Sequence, residues 1–316
     1  MNESHLKTPI TLLIFNRPDT TEKVFEAIRQ ARPQKLFVIA DGPRLDKPGE
    51  AEKCAATRAI IERVDWECEV FKNYSDVNLG CGKRPATGIS WVFEQVEEAI
   101  ILEDDCLPHP TFFRFCEELL EKYRDESQVL SICGSNYKMG NQSYSYYFSR
   151  YFICWGWATW RRAWYNFDFE MKRLPGLLEK GWLEEFLGDP KVAQLWHKNF
   201  QKVYCASPIH IWDYQWQFAA WLQNGLFIRP NANLISNLGF GAEATHTIDN
   251  YSYYASLPFK PISFPLEHPQ TIVRDVQADK LIHKNWLRQE NRLYRGYKKV
   301  GKLLKSKMTL KLREKK

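Results

Sequence analysis

The stretch AIILEDDCLPHP (residues 99–110) ends an apolar run, Ala99 to Leu102, with three consecutive acids, Glu103, Asp104 and Asp105. A short run without polar alternation reads as a strand covered on both faces, as in the middle of a parallel sheet. The acids that follow have no base beside them in sequence. Like charges repel, so the triplet implies a positive partner such as a divalent cation.

Working outward, the first 135 residues alternate strand and helix patterns, the signature of an α/β unit with a largely parallel sheet. ITLLIFNR (10–17) reads as a buried strand. DTTEKVFEAIRQARP (19–33) reads as a helix with Asp19 as N-cap, Glu22 in capping-box position and Pro33 as terminator. KLFVIADGPR (35–44) is a second strand ending at Asp41, and CEVFKNY (68–74) is a third. NLGCGK (78–83) reads as a Gly-rich loop, and residues 86–98 as a helix. A further helix over 110–125 and a strand over 129–136 complete this half.

Beyond it the regularity fades, and residues 144–167 hold 12 aromatics in 24 positions. Helical patterns recur over 177–186, 192–204 and 214–222. The chain reads as subdomains of one body, 1–135 and 136–279, followed by a basic amphipathic helix over 280–316.

The 316 residues suffice for a large core, and 15% of them are aromatic, including 12 Trp. No apolar run approaches the ~20 residues that span a bilayer. ITLLIF is too short and too soon followed by Asn16-Arg17-Pro18 for a signal-peptide core, so a cytoplasmic location is expected. The eight Cys form no CxxC and have no His at zinc spacing, so they are expected to be reduced. From Lys280 to Lys316 there are 14 Lys and Arg against Glu290 and Glu314, a local balance of +12 that leaves −6 for residues 1–279. Such a tail suits an anionic membrane surface at the inner face of the membrane. A solvated tail is the alternative, and no nucleic-acid module accompanies it.

In an open parallel sheet, ligands bind beyond the carboxyl ends of the strands. Asn16-Arg17, Asp41 and the acid triplet all fall there. Adjacent Asp side chains offer hard oxygen donors suited to Mg²⁺ or Mn²⁺ when a diphosphate supplies the remaining ligands.

IILEDDCLPHPTFFRFCEELLEKY (100–123) resembles the metal-binding segment of nucleotide-sugar glycosyltransferases of the GT-A fold. It is most similar to the N-acetylglucosaminyltransferase I type, whose Glu-Asp-Asp also follows an apolar strand and precedes a Pro-Phe-Phe helix start. It also resembles the bacterial family 2 transferases of surface polysaccharide synthesis. GWATWRRAW (156–164), IWDYQW (211–216) and IRPNANLISNLGFGAEATH (228–246) extend the likeness. The resemblance implies a metal-dependent, inverting transferase that moves a sugar from a nucleoside diphosphate to a glycan or lipid-linked acceptor, with 1–135 binding the nucleotide sugar and 136–279 the acceptor and carrying catalysis.

By the same resemblance Asp105 binds the metal, Asp104 contacts ribose or donor sugar, and Glu103 lines the donor pocket. Asp41 hydrogen-bonds the base or, alternatively, caps the Gly42-Pro43 turn. Phe15, Asn16 and Arg17 sit under the nucleotide, and Arg44 and Lys83 are candidates for neutralising phosphate. His246 is a candidate metal or phosphate ligand. Trp155, Trp157 and Trp160 are candidates for stacking on acceptor sugars, with some of them expected in the core. An inverting transferase needs a base for the acceptor hydroxyl, and Asp213 is the candidate; its alternative is the N-cap of the following helix. The family segment carries two consecutive acids where this chain has Asp213-Tyr214. The rivals are a sugar nucleotidyltransferase, which expects a Gly-rich, Arg-containing loop after its first strand, and a non-catalytic carbohydrate-binding or membrane-associated protein.

Overall fold

The computed structural model describes residues 5–136, 143–240 and 257–285. Its strands are β1 (Ile10–Ile14), β2 (Lys35–Ala40), β3 (Glu69–Tyr74), β4 (Glu98–Glu103), β5 (Cys106–Pro108), β6 (Val129–Cys133), β7 (Tyr146–Ser149), β8 (Trp157–Trp160), β9 (Leu226–Pro230) and β10 (Ile235–Asn237). The helices are α1 (Pro18–Ala31), α2 (Glu50–Ile61), α3 (Gly80–Phe93), α4 (Thr111–Lys122), α5 (Arg161–Trp164), α6 (Leu174–Glu179), α7 (Trp182–Leu187), α8 (Pro190–Tyr204) and α9 (Asp213–Leu222). A helical stretch also runs over 276–285.

Eight strands form one sheet in the order β3-β2-β1-β4-β8-β6-β9-β7, and β5 pairs with β10 in a small second sheet. Pairing is parallel from β3 through β4, and β8 runs antiparallel between β4 and β6. This is an α/β fold with a mixed, mostly parallel sheet. Strands from both sides of residue 135 share that sheet, so its core is continuous across the boundary drawn from sequence.

Burial explains the sequence pattern. The apolar runs of β1, β2 and β4 are packed on both faces, Ile10, Leu12, Leu36, Val38, Ile100 and Leu102 against one side and Leu13, Phe37, Ile39, Ala99 and Ile101 against the other. A third cluster joins α6 to α9 around Tyr151, Trp196, Phe200 and Trp221.

Three local expectations are corrected. Helix α1 starts at Pro18, whose fixed φ suits a first helical position, so Asp19 lies inside the first turn and Arg17 holds the N-cap position without a side-chain cap. NLGCGK is not a loop: the chain enters α3 at Gly80, where the backbone φ is +79°. The aromatic stretch contributes β7 and β8, each fully buried.

Helix α8 shows what a side-chain cap looks like here. The Asp189 carboxylate accepts from the amides of Lys191 (2.9 Å) and Val192 (3.2 Å), with Pro190 at the first position. Asp189→Ala is expected to cost about 1 kcal/mol in a denaturant unfolding curve; an unchanged midpoint would show that the cap contributes nothing.

Candidate active site

The register of the parallel strands brings the chemistry-bearing residues to one edge. Ile14 pairs with Ala40 and Leu13 with Glu103, so Phe15, Asp41 and Asp104 all leave the sheet at the same end. A cavity of about 950 Å³ lies beyond that edge, within the range of small-ligand sites. It is lined by Phe15, Asn16, Arg17, Asp41, Arg44 and the acid triplet on one side. Cys154, Trp155, the 208–212 segment, Asp213 and Tyr214 line the other.

The two walls meet where backbones nearly touch. A Cβ on Gly82 would lie 2.3 Å from the Ile209 carbonyl oxygen, and the Cys81 thiol donates to the His210 carbonyl at 2.9 Å. Only glycine permits that approach of α3 to the loop leading into α9.

The acid triplet is strongly coupled to its surroundings. Asp104 Oδ2 accepts the Phe15 amide at 3.0 Å, and Asp105 Oδ2 accepts Arg17 Nη1 at 2.6 Å. Arg17 also lies 3.7 Å from Asp104. The base that the sequence seemed to lack beside the triplet is therefore Arg17, which arrives from 88 residues upstream. Burial works against its charge, but Asp104 and Asp105 more than offset that and raise its pKa. One guanidinium does not balance the cluster. Burial first, then Asp105, Asp104 and Asp213, push the Glu103 carboxyl well above the usual carboxylate range. Burial and Asp105 raise Asp104 to about 7, with Arg17 and the Phe15 amide opposing.

This excess of negative charge is what a divalent cation relieves. Among the described residues no group of three or more His, Cys, Asp or Glu is arranged to hold a metal by itself. Asp104 and Asp105 offer hard oxygen donors, and Mg²⁺-like ions commonly take only one or two protein carboxylates. The chain after β10 closes over Asp105. The Leu238 amide donates to the Asp105 carbonyl at 2.7 Å, and a Cβ on Gly239 would lie 2.0 Å from Asp105 Oδ2. His246 lies outside the described residues.

Asp104 gives a pH-dependent prediction. Its folded-state pKa of about 7 exceeds the unfolded value of 3.8, so the folded form binds the extra proton and its stability falls as pH rises from about 4 to about 7. In metal-free buffer the melting temperature is expected to fall between pH 5 and pH 8. Asp104→Asn, which keeps an oxygen for the Phe15 amide, should reduce that slope to the part that the raised Glu103 contributes. A wild-type slope in the variant would contradict the assignment.

Several sequence-based roles change. Asp41 is nearly saturated: Oδ1 accepts the amides of Gly42 (2.9 Å) and Leu79 (2.8 Å), and Oδ2 accepts Gly80 (2.8 Å). It ties the turn after β2 to the start of α3, which fits the capping alternative better than reading a base. Arg44 lines the cavity, but Glu50 grips it through Arg44 N (2.7 Å), Nε and Nη2, and also accepts Asn16 Nδ2 at 3.0 Å. Its guanidinium lies over the Phe15 ring, 5.6 Å from the centroid. Lys83 points to solvent; one position on, the helical rotation brings Arg84 to the cavity, where it donates to the carbonyls of Ala40 and Asn73. Neither Glu50 nor Arg84 carries a signal in local sequence beyond the helix phase that separates Arg84 from Lys83.

Of the three tryptophans only Trp155 lines the cavity, edge-on to Phe240. Trp157 and Trp160 are 0% and 2% exposed, which removes them from acceptor contact. Trp157 instead stacks on Trp212, with centroids 5.5 Å apart, and so supports the residue before Asp213. Trp160 Nε1 donates to the Leu120 carbonyl.

Asp213 is the first residue of α9, and Trp212 holds the N-cap position. Its carboxylate shares the cavity with Glu103, on whose ionisation it acts directly. Burial, then Asp213, pushes the neighbouring Tyr214 phenol up to about 12, so it stays protonated at neutral pH. None of the eight cysteines, all among the described residues, forms a disulfide.

No protein-family model matches the chain, and no curated protein matches it. Among solved structures the chain is similar to UDP-glucose pyrophosphorylase complexed with UDP-glucose, at TM-score 0.31 and 10% identity, over 50% of this chain and 79% of that one. The α/β class rests on the sheet order itself.

Proposed function

We propose that the protein is a glycosyltransferase that moves a sugar from a nucleoside diphosphate to a hydroxyl of a glycan or lipid-linked acceptor, with inversion. The observation that carries this reading is that one cavity holds both the acid triplet at the end of β4 and Asp213 at the start of α9. One wall offers groups for a nucleotide, Phe15, Asn16, Arg17 and Arg44. The other offers a carboxylate beside Trp155, whose flat apolar face suits a sugar ring.

In this reading the acceptor hydroxyl gives its proton to Asp213 as its oxygen attacks the anomeric carbon. The bond from that carbon to the diphosphate breaks, and the electron pair leaves with the diphosphate. Tyr214 cannot take the proton, because its phenol is already protonated. Arg17, held by Asp105 and Asp104, stands where it can meet diphosphate oxygens. A divalent cation bound by Asp105 and the diphosphate would offset the charge on the leaving group.

The nucleotidyltransferase alternative expects a Gly-rich loop after the first strand, whereas β1 here runs through Phe15-Asn16-Arg17 directly into α1 at Pro18. Calorimetric titration of UDP, GDP and CMP with and without Mn²⁺ tests the reading. Cation-dependent binding of at least one nucleotide is expected; binding of none in either condition would overturn it.

A further inference from the structure

We propose that the outer face of the segment from Val273 to Lys284 is a docking surface for an anionic lipid bilayer. The segment is built into the body of the protein. Asp275 accepts the Ala278 amide at 2.9 Å and starts the helical stretch 276–285. Asp279, 0% exposed, accepts Ser149 Oγ at 2.6 Å, the Arg150 amide at 3.2 Å and Arg274 Nε. Tyr151 bonds His283, and Ala278 and Ile282 are buried. One helical face, 278, 279, 282 and 283, is thus fixed against the chain between β7 and the cavity wall.

The opposite face follows from the same periodicity. Gln277, Lys280, Leu281 and Lys284 lie at i, i+3, i+4 and i+7 and are exposed. Leu281 is 48% exposed, and Val276 and Val273, just before it, are 44% and 66% exposed. Three aliphatic side chains thus stand partly exposed beside two lysines. They match a surface that offers negative headgroups above an apolar layer. Charge supports the same occupant. From Lys280 onward the sequence carries 14 Lys and Arg against two acids, so this face is the root of the most basic part of the chain. Each base near an anionic leaflet strengthens binding by about fivefold, and aliphatic side chains add nothing to a nucleic-acid contact. Among the described residues no helix is long and apolar enough to cross a membrane, which leaves contact from one side.

The test uses the full chain with vesicles of phosphatidylcholine and phosphatidylglycerol at 7:3, with phosphatidylcholine vesicles and with a single-stranded RNA. Sedimentation with the anionic vesicles is expected, weakening at high salt. The double variant Val276→Asp, Leu281→Asp should lower the partition coefficient at least tenfold, since each new acid costs about what a base gains. Because both side chains are exposed, its melting temperature and nucleotide affinity should match wild type. Wild-type partition by the variant, or RNA binding without vesicle binding, would overturn the proposal. The transferase reading stands or falls separately, because nucleotide binding is measured without lipid.

Discussion

Asp213→Asn should lower turnover by about 100-fold or more while leaving nucleotide affinity within about twofold of wild type. The factor is the lower end of what a positioned general base contributes. The asparagine keeps the shape of the side chain and its place at the first turn of α9, packed through Trp212 onto Trp157. It loses the capacity to take a proton, together with the charge that helps to raise Glu103. The adjacent Tyr214 phenol, raised to about 12, is no substitute at neutral pH. Steady-state rates combined with nucleotide titration separate the two effects. Wild-type turnover would remove Asp213 from the mechanism.

The second large effect belongs to the donor side. Asp105→Asn is expected to abolish the strengthening of nucleoside diphosphate binding by Mn²⁺, a loss on the order of 100-fold or more, since even outer partners of metal ligands cost 10- to 100-fold. The amide oxygen of the variant can still accept Arg17 Nη1, and Asp104 lies 3.7 Å from Arg17 in the wild type, so the guanidinium is expected to stay near its place. Affinity that still rises with Mn²⁺ as in wild type would move the cation site elsewhere.

The parallel half of the fold is legible in the sequence because each strand there is a local, uniformly apolar run followed by a helical period. The antiparallel insertion is not. Strand β8, Trp157–Trp160, is buried on both faces between β4 and β6, so its residues show no alternation, and its pairing partners lie about 30 to 60 residues away. An aromatic run of that kind reads equally well as a binding surface or as core, so the sequence does not tell Trp155, which lines the cavity, from Trp157 and Trp160, which are buried.

Within the cavity, the acids are legible from their position at strand ends. Their partners are not, because Arg17 meets Asp105 across 88 residues and Asp41 caps α3 across 38 and 39. The start of α3 at Gly80 depends on that distant carboxylate, so local composition suggests a loop. Glu50, whose side chain is 5% exposed, holds both Asn16 and Arg44 although nothing in its own neighbourhood marks it.

The bond that this cavity is proposed to break joins a sugar to a nucleoside diphosphate. UDP- and GDP-linked sugars, with a CMP-linked sugar as a donor that has no diphosphate, are incubated with the protein and Mn²⁺, and the products are resolved by chromatography and mass spectrometry. Release of free UDP or GDP is expected, with the sugar passed to water or to an added acceptor, and Asp105→Asn should lose that release. Formation of a nucleoside triphosphate and sugar 1-phosphate when pyrophosphate is added, with no free nucleotide from any donor, would contradict it.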